Sequence, residues 1–151
     1  MTNSSGNTEK IHATCVEVEG LGVLLRGPAG SGKSDLALRL IDDGARLIAD
    51  DYTDLTIEEG RIIARAPDTI QDLMEVRGVG VVKIGAAVQV KLGVVIDLVS
   101  NDQVERLPED ESEDVLGVAL PLFKLAPFES STPAKVRLVV RRVKEDIMHI
   151  P

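Results

Sequence analysis

Three features of the 151-residue sequence predict an α/β fold with a mixed, hairpin-rich sheet. First, a short apolar segment at 21–26 precedes a glycine-rich loop and a helical pattern that ends at Gly44, a residue typical of helix C-termini. Second, turn residues at 19–20 and 58–60 each separate two strand-like segments and predict antiparallel hairpins. Third, an amphipathic pattern near the C-terminus predicts a second helix. Because hairpins join antiparallel strands, the sheet is expected to be mixed rather than purely parallel.

Length and composition indicate one domain with an aliphatic core. Hydrophobic residues make up 44% of the chain but aromatic residues only 2%, so Val, Leu, Ile and Ala must fill the core. The net charge of −8 and the scarcity of aromatic side chains argue against nucleic-acid binding. No apolar run reaches membrane-spanning length, and no signal-peptide core follows Met1. The single Cys15 excludes an internal disulfide, which is typical of a cytoplasmic protein.

The remaining elements are predicted from periodicity and turn residues. Residues 1–10 are polar and are expected to form a flexible tail ahead of a single domain at 11–151. The final helix is expected to begin in the segment 130–133, where hydroxyl caps precede a proline, and to run to about His149. Between these ends the patterns predict strands at 11–18, 22–26, 46–49, 53–57, 61–66, 92–99 and 116–125, a turn at 67–69, a glycine-broken segment ending in a short strand at 73–84, and an acidic loop at 100–115.

The glycine-rich loop matches the phosphate-binding pattern G-x-x-x-x-G-K-[ST]. Its residues are Gly27, Pro28, Ala29, Gly30, Ser31, Gly32, Lys33 and Ser34. Glycines allow the tight turn that aims backbone N–H groups at phosphate oxygens, Lys33 can reach the β- and γ-phosphates, and the Ser34 hydroxyl can bind Mg²⁺. A glycine-rich turn can match the pattern by accident, but here a strand precedes the loop and a helix follows it. The sequence therefore predicts a phosphate-binding P-loop at residues 27–34.

Three carboxylates are candidates for chemistry beside the P-loop. Asp50 and Asp51 follow a predicted strand, where ligand-facing residues of α/β folds collect, and one of them could accept a hydroxyl proton or hold Mg²⁺. A solvated turn explains this pair equally well. In the extended strand end expected here, the two side chains would point to opposite sides, so only one could face Lys33. Asp97 ends an apolar strand, as the metal-supporting aspartate of ordinary P-loop ATPases does. It could also be a polar residue on the outer face of that strand.

Three further residues each have one functional and one structural interpretation. His12 lies on a strand that is expected to neighbour the P-loop, although a lone histidine is more often structural than catalytic. Glu75, near Arg77 and two glycines, fits either a ligand site that needs close backbone approach or a bulged strand with a surface ion pair. Arg106 could clamp a phosphate or balance Glu105 and its acidic neighbours.

Taken together, these residues resemble the catalytic C-terminal domain of the HPr kinase/phosphorylases. The resemblance covers nearly the whole chain from Ile11 onward and is more specific than a P-loop alone. The interval from Glu75 to Arg106 is shortened relative to the family. The matching segments are His12-Ala13, the P-loop, RLIADD at 46–51, MEVRGVG at 74–80 and Glu105-Arg106-Leu107.

This resemblance implies transfer of phosphate from ATP, with Mg²⁺, to a seryl hydroxyl of HPr, the phosphocarrier protein of the sugar phosphotransferase system. In the family pattern, Asp51 is the base that accepts the hydroxyl proton, Lys33 polarises the transferred phosphate, and Arg106 stabilises phosphoryl charge. The resemblance also implies a phosphoenolpyruvate carboxykinase-like P-loop fold and a homo-oligomer, namely a hexamer. The implied catalytic residues are His12, Lys33, Asp51 and Arg106, and the implied metal ligands are Ser34 and Glu75.

The sequence departs from the family in two further places. The N-terminal domain of full-length members is missing, so a short form is expected. The segment 124–129 contains neither arginine nor glycine, whereas the family stretch linked to phosphate removal contains both, so weak or absent phosphorolysis is expected. Two other classes of function stay open. One is a small-metabolite kinase or nucleotidase that uses Asp97 for Mg²⁺, and the other is a regulatory module that binds ATP without turnover.

Overall fold

The computed structural model describes residues 8–67, 72–84 and 87–145. In these ranges no helix is long and apolar enough to cross a membrane. A short 3-10 helix covers Asn101–Gln103. The strands and α-helices are β1 (Thr8–Ile11), β2 (Thr14–Val18), β3 (Leu21–Arg26), α1 (Lys33–Asp42), β4 (Arg46–Ala49), β5 (Thr53–Glu58), β6 (Arg61–Arg65), β7 (Leu73–Val76), β8 (Gly80–Lys83), β9 (Gln89–Leu98), β10 (Glu111–Val115), β11 (Val118–Leu125) and α2 (Thr132–Glu145).

A mixed sheet organises the molecule, as the sequence predicts. Its strands follow the order β1-β5-β6-β9-β3-β2-β4, and the hairpin β10-β11 joins the sheet where β11 pairs with β9. Both β3 and β11 run parallel to β9, whereas the other strand pairs are antiparallel. The loops that follow β3, β9 and β11 are therefore neighbours at one edge of the sheet, where α/β folds bind ligands. The hairpin β7-β8 forms a separate two-stranded sheet.

Side chains that alternate along the strands create two hydrophobic layers. On one face of β3, Val23 and Leu25 pack with α1 and α2 through residues such as Leu36 and Val140. On the other face, Leu24 belongs to a second cluster that draws on β2, β4, β5 and β6. Since β5 and β6 are distant from β2 in strand order, their shared cluster requires the sheet to curl. Both helices thus cover one face, and the P-loop lies where β3 passes into α1.

The two predicted hairpins, β2-β3 and β5-β6, are confirmed as antiparallel pairs. The single strand predicted at 11–18 is wrong, because the chain forms two strands separated at 12–13. β1 pairs with β5, whereas β2 pairs with β3 and β4. The alternation of apolar residues continues across this break although the pairing partner changes. Residues 8–10, which the sequence assigned to the tail, belong to β1.

The segment 100–115 gives the second correction, because it is not a plain loop. It contains the 3-10 helix and β10, which pairs with β11. The sequence of β10, ESEDV, lacks an apolar alternation. In agreement with this, four of its five residues are exposed or only partly buried. Leu116, with φ of 50°, lies in the turn before β11 rather than in that strand. Residues 68–69 of the predicted turn and the helix end near His149 lie outside the described residues.

Candidate active site

The P-loop joins β3 to α1 as the sequence predicts. Lys33 is the first residue of α1, and Gly32, at the N-cap position, has φ of 98° and no side-chain cap. Gly30 has φ of 81°. Glycine adopts these angles without the steric cost that a Cβ atom brings. A Cβ atom on Gly32 would also lie 2.9 Å from the ring of Phe128, so the loop is packed closely against the segment that follows β11.

The Lys33 side chain folds back over the P-loop. Its Nζ donates to the carbonyl oxygen of Gly27 at 2.6 Å and to that of Pro28 at 3.1 Å. Only 6% of Lys33 is exposed. The ammonium group is therefore held at the loop, where phosphate oxygens can replace the two carbonyl acceptors while α1 stays in place.

Ser34, the second residue of α1, contacts the residue that follows β4. Its Oγ donates to Oδ1 of Asp50 at 2.7 Å, and Oγ1 of Thr14 donates to the same oxygen at 3.4 Å. Asp50 is 8% exposed and Thr14 is fully buried. A buried carboxylate needs such donors, because burial without hydrogen bonds is costly. Ser34 and Asp50, the Ser34–Asp50 pair, form an oxygen-rich corner beside the P-loop.

The next residue, Asp51, faces a different partner. Its φ of 71° and the 2.7 Å hydrogen bond from the Tyr52 N–H to the Asp50 carbonyl define a tight turn, not the extended strand end expected from the sequence. Oδ1 of Asp51 lies 2.9 Å from Nε2 of His12, whose ring centroid is 5.0 Å from that of Tyr52. The side chains of His12 and Asp51 are 44% and 61% exposed. One aspartate is thus buried against the P-loop serine, and the other is open to solvent.

Asp97 has a structural partner. Arg26 is its register neighbour across β3 and β9, and donates from Nε to Oδ1 at 2.7 Å and from Nη2 to Oδ2 at 3.1 Å. Nη1 of Arg26 donates to Glu113 of β10 at 2.8 Å. The hydrogen bond to Asp97 is the main cause that raises the pKa of Arg26 above its ordinary value. Since both carboxylate oxygens are engaged, the geometry favours the polar-residue interpretation of Asp97 over a metal-supporting role.

Glu75 and Arg106 lie on exposed segments. Glu75 is exposed on β7, opposite Val81 of β8. Arg106 is exposed in the loop before β10, where it lines a cleft of about 710 Å³ together with β11 and α2. Within the described ranges, no hydrogen bond or ion pair joins either side chain to the Ser34–Asp50 pair or to any other residue. Their roles stay predictions.

Sequence reasoning overlooked two residues near the P-loop. Thr14 links the two aspartates, because its hydroxyl donates to Asp50 and accepts the Asp51 N–H at 3.3 Å. Arg39 of α1 donates to two backbone carbonyls in the segment 127–129. The only sequence signal for Thr14 is a polar residue in a buried strand. The only signal for Arg39 is its position on the helix that follows the P-loop.

The donors near Ser34 fit a Mg²⁺ ion that is bound together with a nucleotide. Mg²⁺ in such sites takes one or two protein oxygens and completes its shell with phosphate oxygens and water. The Ser34 hydroxyl and the Asp50 carboxylate supply protein oxygens beside the start of α1. In the part of the chain that the structure describes, no group of three or more His, Cys, Asp or Glu side chains could hold a metal by itself. A metal at this corner would therefore need the phosphates.

Comparisons with known proteins agree with the geometry. Residues 4–136 match the family described as HPr Serine kinase C-terminal domain. The HPr kinase/phosphorylase of Bordetella pertussis is 38% identical, over 78% of this chain and 42% of the relative. That of Geobacillus thermodenitrificans is 39% identical, over 76% and 41%. The solved structure of the Hpr(Ser) kinase/phosphatase from Coxiella burnetii is similar with a TM-score of 0.81 at 27% identity, over 93% of each chain.

The matches cover most of this chain but less than half of the curated relatives. The chain spans about two fifths of the length of the curated relatives named above, at 42% and 41%. The family match covers well over half of this chain and includes the P-loop and both aspartates. The structural match confirms the expected mixed α/β fold. The resemblance drawn from the sequence motifs is thereby confirmed, and the chain belongs to the HPr serine kinase C-terminal domain family.

Proposed function

We propose that this chain is an ATP-dependent kinase that phosphorylates a seryl hydroxyl of HPr. One observation carries the proposal: the two aspartates present one carboxylate to the P-loop serine and the other to solvent. Asp50 accepts from Ser34 at 2.7 Å, whereas the side chain of Asp51 is 61% exposed beside His12. A protein acceptor requires an accessible base close to the phosphate site, and Asp51 meets that requirement. The similar proteins of Bordetella pertussis and Geobacillus thermodenitrificans are HPr kinase/phosphorylases, which supports HPr as the acceptor.

The residues divide the reaction between them. The P-loop holds the triphosphate, and Lys33 neutralises charge on the γ-phosphoryl group during transfer. Mg²⁺, when bound beside the Ser34–Asp50 pair, would neutralise further phosphate charge. Asp51 accepts the proton of the seryl hydroxyl as its oxygen forms the bond to the γ-phosphorus, and ADP leaves with the electrons of the broken bond. His12 orients the Asp51 carboxylate through their 2.9 Å contact.

Family resemblance supports two further roles. We propose that Glu75 is a second metal ligand and that Arg106 stabilises phosphoryl charge. Both side chains are exposed and make no ion pair in the described part of the chain, so neither role requires an existing ion pair to break. The same resemblance supports a cytoplasmic location and a homo-oligomer, with a hexamer as the expected assembly.

We expect phosphorolysis, in which inorganic phosphate takes the phosphoryl group from phosphoserine and pyrophosphate forms, to be weak or absent. The reason is that the segment 124–129, at the end of β11 and in the loop after it, contains no arginine to hold the attacking phosphate. Pyrophosphate release from phosphorylated HPr in excess phosphate measures this reaction, with the kinase reaction of the same preparation as the control. Release at a rate similar to phosphorylation would show that the missing arginine does not matter.

The decisive experiment is incubation of the chain with the host HPr, Mg²⁺ and γ-labelled ATP, followed by mapping of the labelled residue. We expect one phosphoserine. Lys33→Ala and Ser34→Ala should abolish labelling, because both side chains act on the ligand, and keep the wild-type circular dichroism, because neither belongs to the hydrophobic clusters. Leu138→Ala, which removes an exposed apolar side chain from α2, is the matched control and should stay active. A fully active Lys33→Ala variant would refute the P-loop assignment.

A nucleotide-binding regulatory module is the second candidate, since it needs the same P-loop. It would bind Mg-ATP with wild-type dependence on Lys33 and leave HPr unlabelled. The metabolite-kinase candidate is not favoured, because Arg26 already engages both oxygens of the aspartate that it requires.

A further inference from the structure

A cavity of about 780 Å³ opens beside the P-loop. Its walls are Pro28 and Ser31 of the P-loop, Leu98 at the end of β9 with residues 99–101 and 103 after it, and residues 126–129 after β11. These three segments follow parallel neighbouring strands, so the cavity lies at the carboxyl edge of the sheet, where open α/β sheets bind ligands. Its volume is in the range of small-molecule sites. The space therefore continues from the phosphate-binding loop into a pocket large enough for more of the nucleotide.

This cavity contains an exposed aromatic ring. Phe128 is 68% exposed, although it is one of only two phenylalanines in the chain. The ring lies against the P-loop, because a Cβ atom on Gly32 would meet its Cζ at 2.9 Å and its Cε1 at 3.0 Å. Flat aromatic bases stack on such rings, and the interaction depends little on which base is present. Phe128 thus offers a stacking surface next to the phosphates.

The backbone around Phe128 is held on both sides. Arg39 of α1 donates to the carbonyl of Pro127 and, at 3.2 Å, to the carbonyl of Glu129. The hydroxyl of Thr132 donates to the carbonyl of Ala126 at 2.6 Å. A ring on a fixed backbone loses little conformational freedom when a ligand stacks on it, which favours binding. The segment is tied to the P-loop helix itself, so ring and phosphate site keep their relative position.

Polar side chains in the same cavity can form hydrogen bonds with a nucleoside. Asn101 and Gln103 line it with side-chain amides, which both donate and accept hydrogen bonds. Ser31 also lines the cavity, but its Oγ is buried toward Gly27, without a hydrogen-bond partner in the described part of the chain, so this hydroxyl is not available to a nucleoside in this conformation. We propose that this cavity is the nucleoside subsite, in which the base stacks on Phe128 while the phosphates occupy the P-loop. The inference rests on the proposed function and adds where the base and sugar bind.

The test compares ATP with inorganic tripolyphosphate, which can fill the P-loop but has no nucleoside. Dissociation constants of both, with Mg²⁺, are measured calorimetrically for the wild type, Phe128→Ala and Phe128→Tyr. Phe128→Ala should weaken ATP binding about 10-fold to 100-fold, the range expected for loss of one stacking partner, and change tripolyphosphate binding less than about twofold. Phe128→Tyr, which keeps the ring, should restore ATP affinity. Leu138→Ala, exposed on α2, is the control for loss of an apolar side chain.

Each outcome decides the matter. Equal weakening of both ligands by Phe128→Ala would mean that the ring only shapes the P-loop through Gly32, and would overturn the subsite. Unchanged ATP affinity in Phe128→Ala would overturn it as well. A chain that binds ATP through Phe128 yet leaves HPr unlabelled would support the subsite and overturn the kinase proposal. Failure of the wild type to bind either ligand would overturn both.

Discussion

Asp50 and Asp51 are adjacent in the chain, yet the turn at Asp51 sends their carboxylates to different partners. Asp50 is buried with hydrogen bonds from Ser34 and Thr14, whereas Asp51 is exposed beside His12. We expect Asp51→Asn to lower turnover by a factor of about 10² to 10⁴, the usual loss for a general base, because the amide cannot accept the proton. ATP affinity should survive, since removing a negative charge near phosphates does not weaken their attraction to Lys33. Turnover and nucleotide affinity, measured on one preparation, test both parts.

Asp50→Asn is the comparison variant for this prediction. Its side chain contacts the P-loop serine, so we expect weaker Mg-ATP binding rather than a pure loss of turnover. An active Asp51→Asn enzyme beside an Asp50→Asn variant that binds ATP normally but is inactive would assign the base to Asp50.

Asp97 contrasts with Asp50 and Asp51, because its hydrogen bonds serve the structure and not the proposed reaction. It holds Arg26 by two hydrogen bonds on the strand that leads into the P-loop. Asp97→Asn should lower the free energy of unfolding by about 1.5 to 3 kcal/mol, the range for hydrogen bonds to charged groups, and change turnover little. Urea denaturation and HPr phosphorylation measure the two effects, with Glu113→Gln as the matched loss of a carboxylate near Arg26. An Asp97→Asn variant that is stable but inactive would favour the ATPase-like role.

At the scale of elements, sequence patterns predict the helices and hairpins that form between residues close in the chain. The helices, the strand-loop-helix order around residues 27–34 and the hairpins β2-β3 and β5-β6 depend on residues close in sequence, and the structure confirms them. β10 was missed because its sequence, ESEDV, has no apolar face, and only pairing with β11 makes it a strand. The break at 12–13 was missed because the alternation of side chains carries no information about a change of partner strand. Both errors concern pairing, which a periodicity cannot reveal.

The contact between Glu19 and Arg141 should stabilise the fold more at neutral pH than at acidic pH. In the β2-β3 turn, Glu19 accepts from Arg141 of α2 at 3.2 Å, and this hydrogen bond lowers the pKa of Glu19 below its ordinary value of 4.5. A carboxyl whose pKa is lower in the folded state stabilises the fold above its unfolded pKa and loses that effect as the pH falls through the folded value. Arg141→Met should therefore destabilise the protein at pH 7 and less at pH 3. Urea midpoints measure the difference, with Arg61→Met as a surface control, and an equal loss at both pH values would contradict the prediction.

At the scale of the whole molecule, the motif predicts where phosphate binds but not which side chains surround that loop. The Ser34–Asp50 pair exists because the sheet places β4 beside β2 and β2 beside β3, an order set by long-range pairing. The same holds for Phe128, which reaches Gly32 because β11 and β3 flank β9. From the sequence alone, Asp50 and Asp51 are both candidates for the base or a Mg²⁺ ligand. Only the turn geometry shows which of them touches the P-loop.

The reactivity of Cys15 toward a thiol reagent can report opening of the whole fold without an enzyme assay. It lies on β2 with no exposed surface, in the cluster that contains Leu24 and Ile48, and burial raises the pKa of its thiol. Because the thiolate is the reactive form, a thiol reagent should label Cys15 only when the protein opens. A ligand that binds only the folded state at 100 times its dissociation constant stabilises it by about 2.7 kcal/mol, so Mg-ATP at that level should slow labelling by up to about 100-fold. Labelling in denaturant, with and without ATP, is the control and should be fast in both. Rapid labelling of the native protein would contradict the burial of Cys15, and slow labelling that ignores ATP would contradict the coupling between the P-loop and the core.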